Sequence, residues 1–268
     1  MQKLASSLHY ETYGNPSAQP IVFFHGFMGN TKDWGDVISH LSNTYYCIAI
    51  DLPGHGKSLG LAEEDMYTFS GAVDATVHIM EHEQAIPATV VGYSMGGRFA
   101  LYMAVHFSYT CSRLIIESAS PGIREGYQRE KRRQLDDRRA DELKRSNFED
   151  FLRSWYHQPI FETVAESEER LEQIISKRRF NDTKELAKAL RGMGVGRQDS
   201  LWEYLPALYI PALLVTGERD DKYMDVLLNM AASMPNATLK TVPGRGHNIH
   251  MEDPVAMTQR IEGFLEKE

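Results

Sequence analysis

The chain has 268 residues, of which 42% are hydrophobic and 25% charged, and its net charge at neutral pH is −8. That length suits one large domain with an insertion, and the acidic balance argues against nucleic acid as a partner. Two cysteines build no disulfide framework and no apolar window approaches a membrane span, so a protein of a reducing compartment, the cytoplasm, is expected.

The opening residues Met1-Gln2-Lys3-Leu4-Ala5-Ser6-Ser7 lack the apolar core of a signal peptide. Ile21-Val22-Phe23-Phe24 then reads as a buried strand that breaks at His25-Gly26-Phe27. Tyr46-Cys47-Ile48-Ala49-Ile50 is a second such run, leading into the loop Asp51-Leu52-Pro53-Gly54-His55-Gly56-Lys57-Ser58. His25 and His55 both read as structural loop residues. Val73, Val77 and Met80 next mark an amphipathic helix that carries His78-Ile79-Met80-Glu81-His82. This matches the H-x-x-E-H pattern of zinc peptidases, yet a helix on the outside of a sheet reads as a two-histidine surface, and no metal is expected.

Ala88-Thr89-Val90-Val91 is a short β-branched strand run, and helix formers follow from Gly97 through Val105. Between them stands Gly92-Tyr93-Ser94-Met95-Gly96. A strand that turns sharply through G-x-S-x-G into a helix is a nucleophile elbow, with the serine hydroxyl lifted clear of the sheet. A serine hydroxyl is inert near neutral pH without a base, and the order expected for this geometry is Ser, then Asp or Glu, then His. The amides of Phe27, after the first strand, and of Met95, after the serine, would form the oxyanion hole.

From Arg124 to Leu205 no strand pattern is found. Phe148-Phe151-Leu152-Trp155 and Leu186-Leu190-Met193 have helical spacing, so the segment is expected to form a helical cap inserted after the sixth core strand. Between Pro121 and Glu203 lie 18 Lys+Arg and 17 Asp+Glu, leaving 11 and 20 for the rest of the chain. Strand character returns near Tyr209-Ile210-Pro211. The run Ala212-Leu213-Leu214-Val215-Thr216 precedes Gly217-Glu218-Arg219-Asp220, and Leu239-Lys240-Thr241-Val242 precedes Gly246-His247. Asp220 is the favoured acid, with Asp221 and Glu117 as rivals, and His247 is the base. Both follow the ends of strands, where open α/β sheets keep their sites. Arg98, one helical turn after Ser94, points to an anionic substrate, with a structural ion pair as its other reading.

These pieces resemble the α/β-hydrolase family over the whole chain. The implied fold is an α/β one, a mostly parallel sheet flanked by helices, with core residues 1–120 and 206–268 and a cap at 121–205. Further stretches are similar to one subfamily, the synthases of 2-succinyl-6-hydroxy-2,4-cyclohexadiene-1-carboxylate in menaquinone and phylloquinone biosynthesis. They are Glu117-Ser118-Ala119-Ser120-Pro121-Gly122-Ile123, Trp155-Tyr156-His157-Gln158-Pro159-Ile160-Phe161, Gly194-Val195-Gly196-Arg197-Gln198-Asp199-Ser200-Leu201-Trp202, where Asp199 replaces proline, and Gly217-Glu218-Arg219-Asp220-Asp221-Lys222-Tyr223. The resemblance implies that Tyr93, Arg98, Trp155 and Tyr156 bind substrate. It also places two cap arginines, at Arg132 or its neighbour Arg133 and at Arg178 or its neighbour Arg179. The implied chemistry is removal of a ring proton and elimination of pyruvate without a cofactor. Ser94, relayed to His247, would be the base, and the arginines would hold a small polycarboxylate as a local positive field. A true serine hydrolase of esters or carbon–carbon bonds, and a ligand-binding receptor of the same fold, are the alternative readings. No feature specifies an oligomeric state.

Overall fold

Apolar, β-branched runs can be buried on both faces, which is what a parallel sheet covered by helices requires. In the computed structural model, which describes residues 8–61 and 63–266, such runs form β2 (Pro20–Phe24), β3 (Tyr46–Ile50), β4 (Ala88–Tyr93), β5 (Cys111–Glu117) and β6 (Ala212–Gly217). A half-exposed strand, β7 (Ala237–Val242), closes one edge, and β1 (Tyr10–Tyr13) pairs antiparallel with β3 at the other. The sheet has seven strands in the order β1-β3-β2-β4-β5-β6-β7, all parallel except β1. The opening heptapeptide, read above for a signal sequence, lies outside the described residues.

The two-residue period of each strand divides the core. Ile21, Phe23, Val91 and Ile115 face α1 (Gly35–Leu41) and α11 (Pro254–Leu265), where Val37, Leu41 and Ile261 pack against them. Val22, Phe24, Val90 and Leu114 face the opposite layer of α2 (Phe69–His82), α3 (Met95–His106) and α9 (Asp221–Ser233), which contributes Val73, Met80, Phe99 and Leu227. His78 and His82 lie on the solvent side of α2, as its amphipathic pattern predicts. Among the described residues, no helix is long and apolar enough to cross a membrane, and both cysteines are buried free thiols.

Between β5 and β6 the chain is helical: α4 (Gly126–Arg145), α5 (Phe148–Tyr156), α6 (Glu162–Ala165), α7 (Glu168–Arg178) and α8 (Thr183–Met193). Asn147, Ser167 and Asp182 cap α5, α7 and α8 by accepting backbone N–H groups of the first turns. Leu143, Phe151, Leu152, Ile175, Leu186 and Leu190 make an apolar cluster of this segment's own, joined from the core by Met28. The insertion was expected after a sixth core strand. Among the described residues it follows the fifth, β5, with β1 ahead of Pro20. The two ends of the insertion meet: the Leu201 N–H donates to the Pro121 carbonyl at 2.7 Å and the Trp202 indole to that of Gly122 at 3.0 Å.

Candidate active site

The parallel strands run in one direction, so the loops after β2, β4, β6 and β7 gather at one edge of the sheet, beneath the helical insertion. Ser94 stands between β4 and α3 with φ 49° and ψ −107°, a strained conformation for a non-glycine residue. The two glycines of the motif make that turn possible. A Cβ on Gly92 would lie 2.2 Å from the Gly96 carbonyl oxygen, and one on Gly96 would lie 2.4 Å from that of Phe24. The backbone N–H of Ser94 donates to the Glu117 carbonyl at 2.9 Å.

Asp220 follows β6 and caps α9, accepting the Tyr223 N–H. Its other carboxylate oxygen lies 2.6 Å from His247 Nδ1, and His247 Nε2 lies 3.3 Å from Ser94 Oγ. Asp220 and His247 are almost wholly buried. The carboxylate fixes the imidazole with Nδ1 as donor, which leaves Nε2 free to accept from the serine. Asp221 is exposed at the start of α9, and Glu117 pairs with His250, so neither rival acid meets His247.

Phe27 and Met95 flank the serine as expected. Phe27 sits in the turn closed by the Gly29 N–H to the Gly26 carbonyl, and Met95 is the first residue of α3. Neither backbone N–H has an acceptor among the described residues, so both remain available to a bound group. His25 and His55 lie behind this loop as structural residues. His25 Nδ1–H donates to the Gly26 carbonyl while its Nε2 accepts the Leu52 N–H, and His55 Nδ1–H donates to the Pro53 carbonyl. Burial pushes His55 down to about 3, with His25 adding to the effect, and burial also lowers His25.

A cavity of about 250 Å³ opens above Ser94, lined from the core by Phe27, Tyr93, Met95 and Arg98 and from the insertion by Arg132, Arg139, Trp155, Tyr156 and Arg178. The residues expected from the sequence at the substrate, Tyr93, Arg98, Arg132, Trp155, Tyr156 and Arg178, all line this cavity. Arg133 instead pairs with Glu130 on the surface, and Arg179 is exposed. A larger groove of about 520 Å³ between β6, β7 and α11 contains no residue of the Ser94 site.

The arginines differ in what they touch. Arg178 meets Asp33 through two bonds of 2.6 and 2.7 Å, both groups buried, and its Nε donates to the Tyr156 hydroxyl at 3.3 Å. Burial works against both charges, but each holds the other ionised: Asp33 stays below the usual carboxylate range and Arg178 rises above its ordinary value. Arg132 Nε donates to the buried Asp136 at 2.8 Å. Arg98, by contrast, donates to the Gln198 side-chain oxygen at 3.0 Å and the Met193 carbonyl at 2.8 Å, and it lies over the Phe69 ring. It has no carboxylate partner among the described residues, and burial pushes it down to about 10. The ion-pair reading of Arg98 is thereby set aside. Arg139 resembles Arg98: it bonds Gln158, lies over the Trp155 ring at 5.0 Å and is lowered first by burial and then by Arg132.

Sequence reasoning missed Arg139, which lines the cavity beside the expected arginines. Arg132 and Arg178 line the cavity but are paired with Asp136 and Asp33, whereas Arg98 and Arg139 have no carboxylate partner among the described residues. Gln158 and Gln198 belong to the cap motifs, and their amide oxygens accept from Arg139 and Arg98.

Residues 19–254 match the family model of the alpha/beta hydrolase fold. The 2-succinyl-6-hydroxy-2,4-cyclohexadiene-1-carboxylate synthase of Serratia proteamaculans is 32% identical over 246 residues, covering 91% of this chain and 92% of that protein. The chloroplastic protein PHYLLO of Arabidopsis thaliana is 30% identical over 94% of this chain, which spans 16% of that protein's length. Among solved structures, MenH from S. aureus is similar with a TM-score of 0.92 at 35% identity, covering 97% of this chain and 98% of that one.

Proposed function

We propose that this chain, which belongs to the α/β-hydrolase family and within it to the 2-succinyl-6-hydroxy-2,4-cyclohexadiene-1-carboxylate synthases, is a lyase of quinone biosynthesis. Its substrate is 2-succinyl-5-enolpyruvyl-6-hydroxy-3-cyclohexene-1-carboxylate, and its products are the cyclohexadiene and pyruvate. Residues 1–120 and 206–268 are the core in this reading, and 121–205 the cap. Two buried free thiols favour a cytoplasmic setting.

The observation that carries the reading is Arg98, a buried cation without a carboxylate partner among the described residues, one helical turn from Ser94 in the same cavity. A guanidinium held in that way suits a substrate carboxylate, which it can grip with two parallel bonds. Ser94 Oγ removes the ring proton as its own proton passes to His247 Nε2, and Asp220 stabilises the imidazolium. The electrons of the broken C2–H bond form the C2=C3 double bond, the existing C3=C4 pair moves to C4=C5, and the enolpyruvyl C–O bond at C5 breaks. The departing enolate takes up a proton to become pyruvate, so no cofactor enters the balance. The Phe27 and Met95 amides stabilise the negative charge that accumulates on the substrate. Arg139, Arg132, Arg178, Tyr93, Trp155 and Tyr156 complete the enclosure of a small polycarboxylate.

Incubation with the enolpyruvyl compound tests this. Pyruvate and the absorbance of the conjugated diene are expected to rise together. Absence of both, with a covalent Ser94 adduct accumulating during turnover of an acidic ester, would favour a serine hydrolase instead.

A further inference from the structure

Glu117, the last residue of β5, engages both halves of the proposed catalytic machinery. Its backbone carbonyl accepts the N–H of Ser94 at 2.9 Å. Its carboxylate accepts the backbone N–H of His250 at 3.1 Å and His250 Nδ1–H at 2.9 and 3.1 Å. His250 stands three residues beyond His247, in the short helix α10 (Ile249–Glu252). Both side chains of the pair are fully enclosed.

The His250 ring is clamped on its other sides. Trp34 stacks on it with centroids 4.2 Å apart and planes at 21°, and the Tyr93 ring, next in sequence to Ser94, lies 4.8 Å away. Trp34 is itself anchored by its indole N–H to the Phe24 carbonyl at 3.2 Å. His250 Nε2 is buried without a partner among the described residues, so Glu117 makes the polar contacts of this ring that they provide. A buried carboxylate–imidazole pair is costly to desolvate, and apolar residues of equal volume often do as well for stability alone. Geometry gives this pair another use.

We infer that Glu117 and His250 are a positioning pair that sets the separation of His247 from Ser94. The main chain of Glu117 holds the nucleophile and its side chain holds the loop of the base, so the two reactive atoms share one reference point at the end of β5. The 3.3 Å between His247 Nε2 and Ser94 Oγ then depends on the length of the Glu117 side chain. The inference rests on the triad reading above but is independent of which substrate the cavity takes.

Glu117→Asp keeps the charge and shortens the reach by one methylene, whereas Glu117→Gln keeps the reach and removes the charge. Glu117→Asp is expected to lower kcat about tenfold with KM changed less than about twofold, and Glu117→Gln to lose less than Glu117→Asp. The rate at which a sulfonyl fluoride modifies Ser94 should fall with kcat in both variants. This second readout needs no succinyl substrate, so it tests the geometry even if no pyruvate is released. Urea midpoints establish that each variant is folded. Should Glu117→Asp not fold, His250→Ala carries the same expectation of lower kcat and slower sulfonylation at held KM. A wild-type sulfonylation rate in the shortened variant, a loss confined to KM, or greater damage from Gln than from Asp would overturn the inference.

Discussion

The floor and the roof of the cavity treat their charges in opposite ways. On the floor, Asp220 and His247 are bonded to each other and His247 reaches Ser94, so the sheet holds a chain of polar groups that is complete before any ligand arrives. The roof brings three arginines to the same space, of which Arg132 and Arg178 already have carboxylates while Arg139, among the described residues, has an amide oxygen and an aromatic face. Arg98 rises from the floor but belongs with Arg139 in this respect. The Arg178–Asp33 pair ties the insertion to the core, whereas Arg132 and Asp136 pair within α4. Arg98 and Arg139, without carboxylate partners among the described residues, are the ones the proposed function assigns to an anion.

The largest effects should come from breaking the floor. Ser94→Ala and His247→Ala are each expected to reduce pyruvate release by about 10³-fold or more, and the double variant should be little worse than either. Steady-state kinetics of the three proteins checks this, and additive losses would assign the two residues to separate steps. Next comes the unpartnered cation nearest the serine. Arg98→Ala should lower kcat/KM about 30- to 100-fold, with Arg98→Lys restoring only part, since an ammonium lacks the fork. Near-normal kinetics would make Arg98 a packing residue between α3 and Gln198.

Salt dependence sharpens the contrast between the two kinds of arginine. With a Debye length of about 8 Å at physiological ionic strength, kcat/KM for a polycarboxylate should fall as salt is added, while kcat changes little. The slope should flatten more in Arg139→Ala than in Arg132→Ala, whose charge Asp136 already offsets. The reverse order would mean that substrate displaces the carboxylates.

The last prediction concerns stability and not catalysis, through the two histidines behind the floor. Burial holds His55 at about 3 and also lowers His25, so the unfolded chain takes up protons below its ordinary histidine pKa of about 6.5 while the folded chain does not. Their contribution to stability is therefore complete above about pH 6.5 and is lost as pH falls towards about 3, at up to about 1.4 kcal/mol per pH unit for each proton. Urea midpoints measured from pH 7 to pH 4 should decline, and less steeply in His55→Asn. A midpoint unchanged over that range would contradict the assignment.

How much of this was legible in the sequence follows from the distance over which each feature is encoded. The elbow, its strand and its helix lie within twenty residues, and local periodicity specifies them. The insertion was visible because strand pattern stops for its whole length. The roof was harder. Helix α4 is so densely charged that it has no apolar stripe to mark its inner face. Whether Arg132, Arg133 or Arg139 faces the cavity is decided by Ala140 and Leu143 packing inward and by the passage of Gly196, where a Cβ would lie 2.2 Å from the Arg133 nitrogen. Pairings such as Arg178 with Asp33 and His250 with Glu117 join distant parts of the chain. Local spacing contains no trace of them.

The bond from the Leu201 N–H to the Pro121 carbonyl has a consequence for assembly of the fold. Strands β5 and β6 are neighbours in the sheet although roughly 90 residues separate them, and pairing them means closing that loop. Once the insertion has gathered its own apolar cluster and its ends have met, only about 15 residues remain to be closed, which lowers the chain-entropy cost by about 1.5 kcal/mol. To the folding sheet, a long excursion then costs little more than an ordinary turn, which frees the excursion to vary in length while the strands beneath it keep their register.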